Sequence, residues 1–318
     1  MIPMEKIVVG TCNNELALKQ GYALIERLKA QGLRATFEIK TIHTSATPVV
    51  PYYERHLFPS RKLNFNIQHS LKQKEIDLAV FPLTDASLYL QDCFVLATFL
   101  KRMDSRHAYI GRTHIPLNQL PEGAIIGTVN PRVSAFLKAT YPHLSPVVME
   151  QFIHSEIEQL RRGAYDGIIL SVMDLTKLNL LELITQYIEV ETLLPEAAQG
   201  ALAVKCRSND RKLIEMLQTI NDEETAINVK TEREFVRLLD EDYIAPISAY
   251  ATTEAKEITL QGSVCAIDGT ELLKVNVTGN DPEEVAKKAV DEALSQGAGD
   301  MIERAKEALV LQYAHKFQ

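Results

Sequence analysis

Across the first two thirds of this chain, short apolar runs that stop at glycine or a turn alternate with stretches of helical apolar spacing. Few folds accept that alternation. Ile7 to Gly10 is one such run. Leu18, Tyr22, Ile25 and Leu28 then recur on one helical face before Gly32. Ala35 to Ile39 reads as a second strand, and a helix precedes a third at Leu78 to Phe81. The logic repeats in the middle: Ala124 to Gly127 is a strand, a helix starts near Ser134, and Tyr165 to Leu170 is another buried strand. Strands alternating with helices predict parallel sheets with crossover connections. Ligands of such sheets sit beyond the carboxyl ends of the strands, and Thr11, Asp85 and Thr128 fall at those ends.

The last third changes period. Ile258, Leu260, Val264 and Ala266 alternate around Gly262, Asp268-Gly269 is a hairpin signal, and Leu273, Val275 and Val277 continue the alternation. Asp281 followed by Pro282 opens a helix whose buried face is Val285, Ala289 and Ala293, with Gly297 at its stop. This is a separate antiparallel sheet covered by helices. Between strands two and three, residues 42–64 carry three prolines and paired tyrosines and read as a long exposed loop.

Composition narrows the function classes. Of 318 residues, 46% are hydrophobic, enough for real cores. The net charge of −8, with no basic cluster longer than Lys101-Arg102 or Arg161-Arg162, argues against nucleic acid as a partner. The N-terminus runs straight into a strand with no signal-peptide pattern, and no apolar run is long enough to span a membrane. The four cysteines, at 12, 93, 206 and 265, form no CxxC pair and no metal cluster, so a reducing cytoplasm is the simplest expectation. His43, His56 and His69 lack a second close ligand, and no metal is expected.

Five segments in register carry a resemblance. Gly10-Thr11 with Leu16-Ala17-Leu18 and Gln20 resembles G-T-R-x-S-x-L-A-L-x-Q; Ile76 to Asp85 resembles D-I-A-V-H-S-x-K-D. Gly127-Thr128 to Arg132 resembles G-T-S-S-x-R-R, and Leu194 to Arg207 resembles L-P-A-x-G-Q-G-A-L-x-x-x-C-R. Thr231 to Tyr250 resembles E-R-x-F-L-x-x-L-x-G-G-C-x-x-P-I-G-A-Y. These are the motifs of the porphobilinogen deaminase (hydroxymethylbilane synthase) family, in order and over nearly the whole chain. The resemblance implies an α/β fold of two lobes like those of periplasmic binding proteins, with a central cleft, plus a C-terminal α+β domain. It implies residues 1–100 and 198–218 for the first lobe, 101–197 for the second and 219–318 for the C-terminal domain.

It also implies a transferase of tetrapyrrole biosynthesis, monomeric by precedent, that joins four porphobilinogens head to tail. The product grows on a dipyrromethane cofactor held by thioether to one cysteine. An aspartate, here Asp85, binds the pyrrole N–H groups, and basic side chains hold the carboxylates. The matching ligand-binding positions are Thr11, Lys62, Thr128 and Arg132.

The departures from the pattern are chemical. The attachment cysteine is Tyr243, and the two glycines before it are Glu241 and Asp242. A phenol has no sulfur with which to form the thioether. Cys12, Thr84 and Val133 stand where the pattern has Arg, Lys and Arg. The R-G-N-V-x-T-R segment aligns with Glu150 to Glu156, so two arginines become glutamates. A hydrogen bond to a charged group contributes about 1.5–3 kcal/mol, so five lost bases weaken carboxylate binding severely.

Each singled-out residue keeps a bland alternative. Asp85 is a catalytic carboxylate or a cap in a loop. Arg132 pairs a ligand carboxylate or makes a salt bridge. Cys12 is a displaced nucleophile or a small buried hydrophobe. Cys206 reads as structural, Gln199 to Leu202 as an inter-lobe connection, Tyr52-Tyr53 as loop packing, and Glu156 and Glu158 as solvated charges on a helix. The leading expectation is a diverged family member without the dipyrromethane cofactor that binds a small pyrrole-like or carboxylate ligand. The alternatives are an active synthase with a relocated or non-covalent primer, and a regulatory pseudoenzyme acting through a protein partner the sequence does not identify.

Overall fold

The computed structural model describes residues 6–33, 35–42, 59–85, 91–149, 153–241 and 243–314. Tyr52-Tyr53, His43, His56, Asp242, Glu150 and most of the 42–64 stretch lie outside them. In chain order the first part holds β1 (Lys6–Cys12), α1 (Glu15–Ala30), β2 (Thr36–Ile42), α2 (Pro59–Lys72), β3 (Leu78–Pro82) and β4 (Phe94–Phe99). The middle holds β5 (His107–Gly111), β6 (Ile125–Thr128), α3 (Pro131–Thr140), β7 (Ser145–Val148), α4 (Ile153–Arg161), β8 (Gly167–Ser171), α5 (Val172–Leu178) and β9 (Gln186–Ile188). Then come β10 (Leu202–Arg207), α6 (Arg211–Gln218), α7 (Glu223–Leu239), β11 (Ile247–Glu254), β12 (Glu257–Cys265), β13 (Leu272–Gly279), α8 (Pro282–Ser295) and α9 (Ala298–Ala314).

The strands make three sheets in two compact units. One unit is Met1–Met103 with Gln199–Ile227, and the other is Asp104–Ala198 with Asn228–Gln318. The first unit holds a sheet of order β2-β1-β3-β10-β4. In it β1 runs parallel to β2 and β3, while β10 runs antiparallel to β3 and β4. The second unit repeats the layout as β7-β6-β8-β5-β9, with β6 parallel to β7 and β8 and β5 antiparallel to both its neighbours. The expectation of parallel sheets is therefore corrected to mixed ones. In each sheet the reversed strand, β10 or β5, directly follows a crossing of the chain between units. No helix intervenes to return it to the starting edge.

Local chemistry explains the element ends. Asn14 caps α1 by accepting from Ala17 N, and Leu24 and Leu28 face the core of the first sheet with Val9, Val204 and Cys206. Helix α2 begins at Pro59, inside the stretch expected to be loop. Helix α3 begins at Pro131, not near Ser134, because Asn130 caps it and proline suits the first turn. In the second sheet neighbouring residues face opposite cores. Tyr109 and Ile169 pack with Phe136 of α3, while Ile110, Ile168 and Leu170 pack with Ile157 of α4.

The C-terminal part is the α+β layer expected: a three-stranded antiparallel sheet, β11-β12-β13. Asp281 caps α8 by accepting from Glu283 N and Glu284 N, and Val285, Ala289 and Ala293 are its buried face. Cys265 at the end of β12 belongs to the same core cluster as Phe136, so this sheet and the second lobe share a core. The β12–β13 turn sits directly on α3. Gly269 has φ +78°, and a Cβ there would lie 2.6 Å from Lys138 Cβ and 2.9 Å from the Ala135 carbonyl oxygen. Gly269→Ala is expected to lower unfolding stability by about 1–3 kcal/mol in denaturant melts, from backbone strain plus overpacking.

Candidate functional site

The first unit places the expected residues at one end of its sheet. Thr11 is buried, and its hydroxyl donates to the Ala17 carbonyl at 2.9 Å, tying β1 to the start of α1. Cys12, the last residue of β1, is half-buried. Asp85 ends a single 3-10 turn, Leu83–Asp85, directly beyond the carboxyl end of β3. Lys62 lies in the first turns of α2. The side chains of Lys62 and Asp85 lie outside the described part of the structure. The buried Cys206 thiol is pushed up to about 11, chiefly by burial, so it is an inert packing group. The neighbouring Arg207 donates to the carbonyls of Leu71 and Ile76 and pairs with Asp77 at 2.9 Å. The Cys-Arg end of that motif therefore fastens α2 and β3, which is a structural duty.

Two residues here were not singled out as site residues by sequence reasoning, although Gln20 belongs to the first motif. Gln20 is 1% exposed, and neither its amide oxygen nor its nitrogen has a hydrogen-bond partner among the described residues. It lies one turn after Ala17 on the buried face of α1. A buried amide is a paired donor and acceptor, the complement of a group carrying both N–H and carboxyl functions. Lys205, in β10, is 1% exposed, with its ammonium 5.2 Å above the centre of the Phe81 ring. An ionisable residue inside an apolar strand run was the available signal.

In the second unit the polar residues gather at the start of α3. Thr128 is buried and its hydroxyl accepts from Asn130 N. The Asn130 side chain accepts from Arg132 N at 2.9 Å and donates to Glu196 at 3.0 Å. Arg132 is 8% exposed. Its guanidinium donates to the Ser248 hydroxyl and to the Leu194 carbonyl, and it lies 5.6 Å over the Phe136 ring. These contacts use one terminal nitrogen, Nη1; Nε and Nη2 are buried and make no hydrogen bond among the described residues. Val133 is core. Glu156 corrects the expectation of a solvated charge. It is 0% exposed because it shares the inward face of α4 with Ile157 and Leu160, while Glu158 pairs with Arg162 at the surface.

Tyr243, at the attachment position, adopts φ +59°, a left-handed conformation that side chains rarely take. Asp240 creates it: its backbone carbonyl accepts from Tyr243 N, and its buried carboxylate accepts from Ile244 N and Ala245 N at 2.6 and 2.7 Å. Burial pushes the Tyr243 phenol up to about 12, with Glu196, Glu232 and Asp240 acting in the same direction and Arg233 opposing them. The hydroxyl therefore stays protonated near neutrality. Among the described residues no group of three or more His, Cys, Asp or Glu is placed to hold a metal. No helix among them is long and apolar enough to cross a membrane.

One carboxylate organises this region. Glu232 of α7 is 0% exposed and accepts from Ala198 N at 2.6 Å and Ala251 N at 2.7 Å. Glu232→Gln, which replaces one acceptor with a donor against a buried N–H, is expected to lower stability by about 1–3 kcal/mol in denaturant melts. His107 of β5 is buried, and desolvation followed by the Arg132 charge lowers it to about 3 from 6.5. Between those values the unfolded chain binds a proton that the folded chain refuses, so stability falls as pH drops through that window. Asp174, raised by burial to about 6, opposes the trend. The melting temperature is expected to fall less in His107→Gln than in the wild type between about pH 7 and pH 5.

Comparison with known proteins places these features. Residues 7–215 match the family described as porphobilinogen deaminase, dipyromethane cofactor binding domain, and residues 226–295 match its C-terminal domain. Porphobilinogen deaminase of Oceanobacillus iheyensis is 36% identical over 307 residues, covering 96% of this chain and 99% of that protein. Porphobilinogen deaminase of Staphylococcus aureus (strain bovine RF122 / ET3-1) is 35% identical over 306 residues, with the same coverage. Among solved structures, a TRAP periplasmic solute binding protein from Desulfovibrio salexigens aligns at TM-score 0.43 and 13% identity, over 70% of this chain and 73% of its own. The motifs, the two matched family domains and the two deaminases agree: the chain belongs to the porphobilinogen deaminase family.

Proposed function

We propose that this chain is a diverged member of the family that does not hold the dipyrromethane cofactor covalently and that binds a small pyrrole-like or acidic molecule in the cytoplasm. The observation that carries the reading is Tyr243. Asp240 holds the backbone turn that presents residue 243, and the side chain there is a phenol lifted to about 12. A protonated phenol is a poor nucleophile and supplies no sulfur, so the residues present do not fit a thioether-held dipyrromethane. The carboxylates of Glu196 and Asp240 near that phenol oppose a polyanion at the same place. In favour of a retained pyrrole-like ligand stand the buried Gln20 amide and the position of Asp85 just beyond β3.

A second reading has one observation behind it. Cys12 is a half-buried thiol at the carboxyl end of β1, where a relocated primer would find sulfur. An intact-mass spectrum before and after incubation with porphobilinogen separates the two. The expected result is the bare polypeptide mass in both samples. Extra mass of two pyrrole units, growing by single units with porphobilinogen, would overturn the proposal, and peptide mapping would then test Cys12 as the anchor.

A further inference from the structure

The first sheet ends in an edge that no strand among the described residues covers. Strand β2 pairs with β1 alone, in an unbroken parallel register from Lys6 opposite Thr36 to Cys12 opposite Ile42. Its outer row of N–H and C=O groups has no strand partner among the described residues, and such a row is a template for pairing with another chain. Edges are ordinarily blunted by a proline, a bulge or shortness. Strand β2 is seven residues long, with no proline and no bulge. The opposite edge, β4, carries a register shift against β10 between Val204 and Lys205. The apolar face of β2 is only half-covered. Phe37 and Ile39 are half-buried on the side of α1, where Tyr22 is 60% exposed. With Ile25, Glu26 and Lys29 they line a groove of about 520 Å³.

The charges of β2 decide what can add to this edge. Glu38 and Lys40 alternate with Phe37 and Ile39 and stand on the opposite face, Glu38 beside Lys6 at 2.5 Å and Lys40 beside Glu75 at 3.0 Å. When two copies of one strand pair antiparallel about a two-fold axis, facing residues must both turn their backbone groups the same way. The axis therefore passes through a residue. Centring it on Glu38 or on Lys40 sets like charges directly opposite. Centring it on Ile39 sets Glu38 opposite Lys40 of the second copy, twice, and pairs the whole strand from Thr36 to Ile42. One register is thus self-complementary in both charge and length.

We propose that the β2 edge is a self-association surface whose occupant is a second copy of this chain, joined β2 to β2 antiparallel about Ile39. Two five-stranded sheets then become one continuous sheet across the interface. The two grooves between α1 and β2 meet near the axis, where Tyr22 and Phe37 of both copies leave water. An unrelated extended peptide would gain the same backbone bonds without the paired charges. The proposal needs no ligand in either lobe and stands apart from the functional reading above.

The test is sedimentation equilibrium of the full chain between about 1 and about 100 µM. It compares the wild type with Glu38→Lys, with Lys40→Glu and with an equimolar mixture of the two variants. Both side chains are exposed, so the variants are expected to keep the fold, which thermal melts check. The wild type is expected to approach twice the chain mass over this range. Each variant alone sets like charges opposite at both pairs and is expected to associate at least about tenfold more weakly. The mixture is expected to regain the association, because one chain brings lysine at both positions and the other brings glutamate. A wild type that stays at single-chain mass throughout overturns the proposal. So does either variant alone associating as tightly as the wild type. A mixture that associates no better than its components also overturns it, and with a dimeric wild type would assign the dimer to another surface.

Discussion

The second unit depends on one buried carboxylate. Glu232 projects from α7 and accepts from Ala198 N and Ala251 N. A fully enclosed charge persists only when hydrogen bonds replace its water, and two short N–H bonds do that here. The bonds join the chain leaving the second sheet to the first strand of the C-terminal sheet, and Ala249 N adds a third link to the Pro195 carbonyl. Ala198 sits at φ +67°, where the aligned family pattern carries glycine, so the clamp holds an L-residue in a conformation it would otherwise avoid. The clamp stands beside the common core of second lobe and C-terminal sheet and beside the segment that carries Leu194 and Glu196 to α3.

Around that frame stand the positions the motifs single out. Asp240 shapes the turn that presents residue 243, and the presented group is a neutral phenol. Helix α3 begins with a capped turn, and its polar side chains meet Glu196 and Ser248. A position where the family pattern has arginine is filled by Glu156, turned into the core.

Much of the fold was legible from local pattern. The Asp268-Gly269 turn, the Asp281-Pro282 cap and the alternation through β12 and β13 are short-range signals, and all three appear as read. Motif register alone singles out Asp85 and Tyr243, and the structure puts Asp85 just beyond β3 and Tyr243 in a turn held by Asp240. The direction of β10 and β5 was not, because their pairing depends on where the chain returns from the other unit. Nor was the fate of Arg132, whose partner Ser248 is distant in sequence. Glu156 misled because a charged residue on a short helix is ordinarily solvent-facing; its phase against Ile157 and Leu160 held the information. The starts of α2 and α3 were placed late because proline was read as loop and not as a first-turn residue.

The central claim is that family backbone and family chemistry have parted in this chain. The most direct measurement is turnover of porphobilinogen by the purified protein, followed as hydroxymethylbilane formed over time beside the Oceanobacillus iheyensis relative under identical conditions. The account predicts no product above the uncatalysed background. Product formed at a rate comparable with the relative's would contradict it, and would mean that Tyr243 is compatible with the family reaction.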